Sequence, residues 1–229
     1  MMNEAGWGNQ PVTPARSRRV GILGGTFDPI HYGHLDAAAA ARTALALDEI
    51  LIVPSHDPPH RPASPHATAF HRFALAALAV DGLDGYHVSD MELRRSGPSY
   101  TIATLRELHD AGWAPSQLFF ILGADAFAEI ATWHRFPGVL DAANFAVVAR
   151  PGATLEAAID CVPDARARLG RTVFPVPTDT RNVSSTAIRA RLAARQSIDD
   201  LVPAAIARHI LAHNLYGAVN DLHGQEQHI

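Results

Sequence analysis

Gly24-Gly25-Thr26-Phe27-Asp28-Pro29-Ile30-His31-Tyr32-Gly33-His34 is the stretch of this chain whose residue types and spacing point most directly to chemistry. Two glycines let backbone approach a bound phosphate closely. The apolar run from Val20 to Leu23 precedes them and a helical pattern follows from His34, so the string leaves a strand and opens a helix. A helix start offers unpaired N–H groups and the positive end of its dipole to an anion. His31 and His34 add two imidazoles at that same end. With no cysteine beside them and no third ligand at metal spacing, they read as phosphate donors, and no metal-ligand set is assigned. A tight strand-to-helix turn would account for a bare Gly-Gly pair, but not for the whole string. Gly24 and Gly25 are candidate phosphate contacts, with His31 and His34 as candidate donors to the same anion.

A second group lies near the other end, in Val183-Ser184-Ser185-Thr186-Ala187-Ile188-Arg189. Hydroxyl side chains there cap a helix that follows a proline-rich stretch. Ser185 and Arg189 are four residues apart and share a helical face, so Arg189 can reach a phosphate gathered at the helix start. Three further segments carry polar groups near chain turns: Pro54-Ser55-His56-Asp57-Pro58-Pro59-His60-Arg61, Arg95-Ser96-Gly97-Pro98-Ser99-Tyr100-Thr101, and Gly123-Ala124-Asp125 running on to Trp133-His134-Arg135-Phe136. Prolines stiffen the first. Ser99 is the expected N-cap of the helix after the second. In the third, Gly123 permits a tight turn, Asp125 can accept from a ribose hydroxyl, and Trp133 offers a flat face to a cationic ring.

The elements that must position these groups alternate along the chain. Val20 to Leu23, Ile50 to Val53, Leu118 to Leu122 and Phe145 to Ala149 read as buried strands, with Tyr86 to Ser89 and Thr172 to Val176 as weaker ones. Helical patterns run from His34 to Leu47, Ala67 to Val80, Tyr100 to Ala111, Ser185 to Ala194 and Ala204 to His213. This alternation predicts an α/β fold, a Rossmann-like parallel sheet flanked by helices on both faces. In such folds ligands collect at the carboxyl ends of the strands. Residues 1–18 are expected to form a flexible tail and 19–229 a single domain.

Composition narrows the function. The 229 residues are 48% hydrophobic, enough to bury a full core, and no apolar run approaches the roughly 20 residues of a membrane span. Nineteen basic against twenty-three acidic side chains give a net charge of -4, which is not the footprint of a nucleic-acid binder. There is no lysine, which excludes a P-loop and a Schiff-base enzyme, so phosphates must be held by backbone, hydroxyl, histidine and arginine. The single cysteine, Cys161, excludes an internal disulfide, suits a reducing cytoplasm and is expected to serve in packing. No G-x-G-x-x-G fingerprint supports a dehydrogenase. The sequence leaves a homo-oligomer open.

His31-Tyr32-Gly33-His34 resembles the signature of the nucleotidyltransferase superfamily, a histidine or threonine, any residue, glycine and histidine. Ser184-Ser185-Thr186 with Arg189 is similar to that superfamily's motif for the β- and γ-phosphates of ATP. Within it, the loop from Pro54 to Arg61, the Gly97-Pro98-Ser99-Tyr100-Thr101 segment and the Gly123-x-Asp125 to Trp133-His134 segment resemble the bacterial nicotinate-nucleotide adenylyltransferases. Ser55 stands where many relatives have asparagine. The likeness runs from Arg19 to about Tyr216, five motifs in the family's order.

The resemblance implies transfer of AMP from ATP, carried with Mg²⁺, to nicotinate mononucleotide. ATP would meet Gly24, Gly25, Thr26, Phe27, Gly123, Asp125, Ser184, Ser185 and Thr186. Nicotinate mononucleotide would meet Ser55, His60, Arg61, Thr101, Trp133 and His134, its ring stacked on Trp133 and its carboxylate at the helix start near Thr101. His31, His34 and Arg189 would stabilise charge. A phosphate monoester is already anionic at neutral pH, so attack on the α-phosphorus needs no general base. Rival readings are a sister enzyme using nicotinamide mononucleotide or phosphopantetheine, a nucleotide sensor without catalysis, and an RNA-binding relative of class I synthetases.

Overall fold

The computed structural model describes residues 18–59, 64–149, 155–178 and 180–218. Among these, six strands form one sheet: β1 (Val20–Gly25), β2 (Glu49–Pro54), β3 (Tyr86–Val88), β4 (Leu118–Gly123), β5 (Asn144–Val148) and β6 (Val173–Val176). Every pairing is parallel, and the order is β3-β2-β1-β4-β5-β6. The helices are α1 (Tyr32–Ala44), α2 (Ala69–Val80), α3 (Met91–Arg94), α4 (Thr101–Asp110), α5 (Ala124–Ala128), α6 (Leu155–Asp160), α7 (Ala165–Arg168), α8 (Ser185–Ala193) and α9 (Ala204–Ala212).

The strands read as unbroken apolar runs because both faces of the sheet are covered. In β4, Phe119 and Ile121 join a core with residues of α1, α2, α8 and α9, while Leu118, Phe120 and Leu122 join a second core with residues of α4 to α7. The period-two alternation of a strand thus feeds two helical layers. All six expected strands are present, each within a residue or two of its expected limits. The five expected helices are present as well, α1 beginning two residues earlier than the pattern suggested. Helices α3, α5, α6 and α7 were not anticipated, since four to six residues are too few to display a 3.6-residue period. Cys161 is exposed at the end of α6, which corrects its expected packing role.

The order of the strands locates the site. After β3 the chain returns to the centre and lays β4 on the other side of β1, so the sheet grows outward in both directions from the β1–β4 boundary. The connections on the two sides of such a boundary leave to opposite faces, and a crevice opens at the carboxyl ends of the two strands. Those ends here are Gly25 and Gly123.

Close packing at the other end of β1 depends on Gly21. A Cβ placed there would lie 2.7 Å from Ile50 Cδ1, 2.8 Å from Leu47 Cδ1 and 2.9 Å from Ile121 Cδ1, and all three side chains are buried, so each would have to shift within a packed core. Gly21→Val is expected to lower the unfolding free energy by about 1–3 kcal/mol. Urea denaturation checks this; an unchanged midpoint would mean that the three side chains repack without cost.

Candidate active site

A cleft of about 380 Å³ opens at the β1–β4 boundary. Of the residues singled out from the sequence, Gly24, Gly25, Thr26, Phe27, His34, Ser55, Thr101, Gly123, Asp125, Trp133 and Ser185 line it. They arrive from five separate connections, those after β1, β2, β3, β4 and β6, which meet because all parallel strands end at the same edge. A side cavity of about 50 Å³ continues between Thr101 and the Trp133-His134 pair.

Beyond β1 the chain turns inward at Phe27, which has a positive φ of 51° and is buried. Its ring fills the space a side chain at position 25 would need: a Cβ on Gly25 would meet Phe27 Cε1 at 2.9 Å. His31 then caps α1 with extended backbone. The His31 N–H donates to His34 Nδ1 at 3.2 Å, so a neutral His34 carries its proton on Nε2. The two imidazoles stack with centroids 3.7 Å apart, and Phe27 meets His34 edge-on at 5.1 Å. His31 is buried, whereas His34 faces the cleft.

The start of α8 is stitched to this loop. Ser184 is the N-cap, its Oγ accepting from Ala187 N–H at 3.1 Å. The Ser185 hydroxyl donates to the Pro29 carbonyl at 2.9 Å. Arg189 donates through Nη1 to the Asp28 carbonyl at 2.7 Å and through Nη2 to Thr186 Oγ1 at 3.2 Å. Arg189, Ser184, Thr186 and His31 are therefore neighbours of the cleft and not part of its lining. Ahead of α8, Arg181 forms a two-point ion pair with Asp36 of α1 and lies 3.7 Å over the Tyr32 ring. The Arg181 guanidinium holds the Asp36 carboxyl below its ordinary range, against the opposing effect of burial.

Across the cleft, Ser55 follows β2 and is buried, and its Oγ has no hydrogen-bond partner among the described residues. His60 and Arg61 lie outside the described residues. Ser99 does not cap α4 as its position suggested; Tyr100 is the N-cap. The Ser99 Oγ instead accepts from the N–H groups of His56 at 2.9 Å and Asp57 at 3.3 Å, and Ser99 N–H donates to the Asp57 carbonyl at 2.8 Å. The loop after β2 has no strand partner for those N–H groups, and a nearby hydroxyl satisfies them. Tyr100 and His134 stack at 4.3 Å, and Trp133 meets Phe120 edge-on at 5.9 Å, so the side cavity has aromatic walls.

Sequence reasoning missed several groups. Glu92 of α3 lines the cleft and is buried, accepting from Thr104 and lying 3.8 Å from Arg95. Thr180 lines it too. Asp28 turns its carboxylate away from the cleft and accepts from His66 N–H at 2.8 Å and Ala67 N–H at 3.0 Å. Burial opposes the charged form of Asp28, but the N–H donors of His66 and Ala67 and the His66 ring outweigh it and hold the carboxyl below its usual pKa of 3.8. Glu92 and Asp28 have no local signature, since Thr104 and His66, to which they bind, lie 12 and 38 residues away.

The sheet order, the crevice at its switch point and a glycine loop leading into a histidine-capped helix define a nucleotidyltransferase-type protein. Residues 22–191 match the cytidylyltransferase-like family. A probable nicotinate-nucleotide adenylyltransferase of Roseiflexus sp. (strain RS-1) is 40% identical over 200 residues, covering 87% of this chain and 98% of the relative. One from Pseudomonas syringae pv. tomato is 42% identical over 215 residues, covering 89% and 96%. The chain belongs to the nicotinate-nucleotide adenylyltransferase family. Among solved structures, a Plasmodium falciparum nicotinic acid mononucleotide adenylyltransferase complexed with NaAD shares the fold at a TM-score of 0.69 and 19% identity, covering 88% of this chain and 98% of that one. No helix among the described residues is long and apolar enough to cross a membrane.

Asp28 supplies a test of the loop geometry. Its folded pKa lies below 3.8, so its contribution to stability is complete above that pH and is lost as pH falls through the lower folded value. Asp28→Asn should cost about 1–3 kcal/mol at pH 7 by leaving N–H donors poorly matched. Unfolding measured at pH 7 and pH 3 should show the gap between variant and wild type narrowing in acid. A gap that is constant with pH would mean that the carboxylate charge does not hold the loop.

Proposed function

We propose that this cleft performs adenylyl transfer from ATP to nicotinate mononucleotide, with ATP along the β1 loop and the acceptor against Ser55, Thr101 and Trp133. The observation that carries the reading is one continuous cleft with two chemically different walls. One wall is glycine backbone, His34 and the start of α8, suited to phosphates; the other is a helix start facing aromatic rings. The acceptor phosphate oxygen attacks the α-phosphorus of ATP while the bond to the β-phosphate oxygen breaks, and pyrophosphate leaves in line. No group on the protein is covalently modified, and the anionic phosphate needs no base.

His34, with its proton on Nε2, is the donor to the oxygens that gain charge, and His31 fixes its orientation by stacking and by the N–H bond to Nδ1. Arg189 and the hydroxyls of Ser184, Ser185 and Thr186 serve the departing pyrophosphate, Arg189 by turning from its present partners. Mg²⁺ enters as part of the ATP substrate. Such an ion would keep mostly nucleotide and water ligands. Thr101 lies at the first turn of α4, and N–H groups there would take the acceptor's ring carboxylate, a choice that favours the acid over the amide. Ser55 Oγ is suited to a polar group of the same acceptor, and Asp125 to a ribose hydroxyl.

The test is pyrophosphate release from ATP and Mg²⁺ with nicotinate mononucleotide or nicotinamide mononucleotide supplied in parallel. Strong preference for the acid is expected; equal use would remove the carboxylate assignment, and no release with either would remove the reaction. His34→Ala should reduce turnover about 10²- to 10³-fold with an unchanged melting curve. Wild-type turnover in that variant would rule out His34 as the charge-stabilising donor.

A further inference from the structure

Arg72 is the largest fully buried side chain described, 1% exposed, on the inward face of α2. It does not line the cleft, and its residue type is unusual at such a depth. Its guanidinium donates to four backbone carbonyls: Nη1 to Thr26 at 2.8 Å and to Ser55 at 2.6 Å, Nη2 to His56 at 3.4 Å, and Nε to Ala67 at 3.3 Å.

The Thr26 and Ser55 carbonyls mark where the β1–β2 ladder ends. The last rung pairs Gly25 with Pro54, and Ser55 N–H still reaches the Gly25 carbonyl at 2.9 Å. Beyond it the strands diverge, Thr26 towards α1 and Ser55 towards α2, and their buried carbonyls need donors that the sheet no longer supplies. A single nitrogen, Nη1, serves both. Thr26 and Ser55 both line the cleft, Thr26 on the nucleotide wall and Ser55 on the acceptor wall.

We propose that Arg72 is a positioning residue of the transfer reaction: its Nη1, shared between the Thr26 and Ser55 carbonyls, sets the separation of the two walls and hence the approach of the acceptor phosphate to the α-phosphorus. The proposal rests on the adenylyl-transfer reading above. Each substrate keeps its own contacts when the separation changes, so affinity for either depends little on Arg72. In-line attack depends on the distance between the two substrates, and an ångström of misplacement costs about a hundredfold in rate. Lysine cannot replace arginine here, because one ammonium cannot reach carbonyls in four directions from a planar fork.

The experiment is steady-state pyrophosphate release by Arg72→Lys and Arg72→Ala beside wild type, with the folded fraction of each measured by its thermal transition. For Arg72→Lys, which keeps the cation, kcat per folded enzyme should fall about 10- to 100-fold while KM for ATP and for nicotinate mononucleotide changes less than about threefold. For Arg72→Ala, millimolar guanidinium should restore part of kcat where sodium at equal ionic strength does not. Two results would overturn the proposal: wild-type kcat in folded Arg72→Lys, or a loss of activity that tracks the loss of folded protein. If Arg72→Ala does not fold, the Arg72→Lys comparison alone decides. An inactive wild type would remove the adenylyl-transfer reading instead, so the two failures are distinct.

Discussion

The constraint on which the rest depends is that two neighbouring parallel strands, β1 and β4, must end side by side without side chains to close the space above them. Gly24 and Gly25 satisfy it on β1. A Cβ at Gly24 would stand 3.1 Å from Phe120 Cζ, and one at Gly25 would strike the Phe27 ring. Since Phe27 and Phe120 themselves pack into the two cores on opposite faces of the sheet, the glycine backbone is pressed between buried aromatics and opens only towards the cleft.

Around that opening the protein satisfies buried polar backbone with side chains, because the sheet has stopped supplying partners. Asp28 takes the N–H groups of His66 and Ala67, Ser99 those of His56 and Asp57, and Ser185 and Arg189 donate to the carbonyls of Pro29 and Asp28. Each bond ties one connection to another. The result is a rim whose backbone is tied in place before any substrate arrives, which limits the reorganisation left for the reaction itself. The stacked imidazoles follow the same logic: the His31 N–H fixes the tautomer of His34 and the aromatic contacts fix its plane.

Much was legible in the chain itself. The apolar runs identified every strand because burial on both faces removes polar alternation, and 3.6-residue periodicity identified the longer helices. The glycine-histidine string, the hydroxyl cluster ending in Arg189, and the Thr101 and Trp133 segments were recognisable because backbone approach, helix starts and aromatic faces each demand particular residue types at short spacing. The absence of lysine restricted how phosphate could be held before any fold was considered.

Tertiary structure alone decided which of these groups share a cavity and which stand behind it. Arg189 and His31 had the right chemistry and proved to be held at the edge, one by the Asp28 carbonyl and the other by burial beneath His34. Ser99 appeared to be a helix cap because capping is a local rule, yet its hydroxyl serves the loop after β2, forty-odd residues away in sequence. Glu92 and Arg72 had no signature at all, Glu92 lying in a charged stretch too short to show a period and Arg72 in an otherwise apolar helix. Local sequence determined element type and candidate chemistry through propensity, periodicity and turn geometry. The role of each polar side chain depended on which buried backbone groups lacked a partner, a property that exists only once distant segments have been brought together.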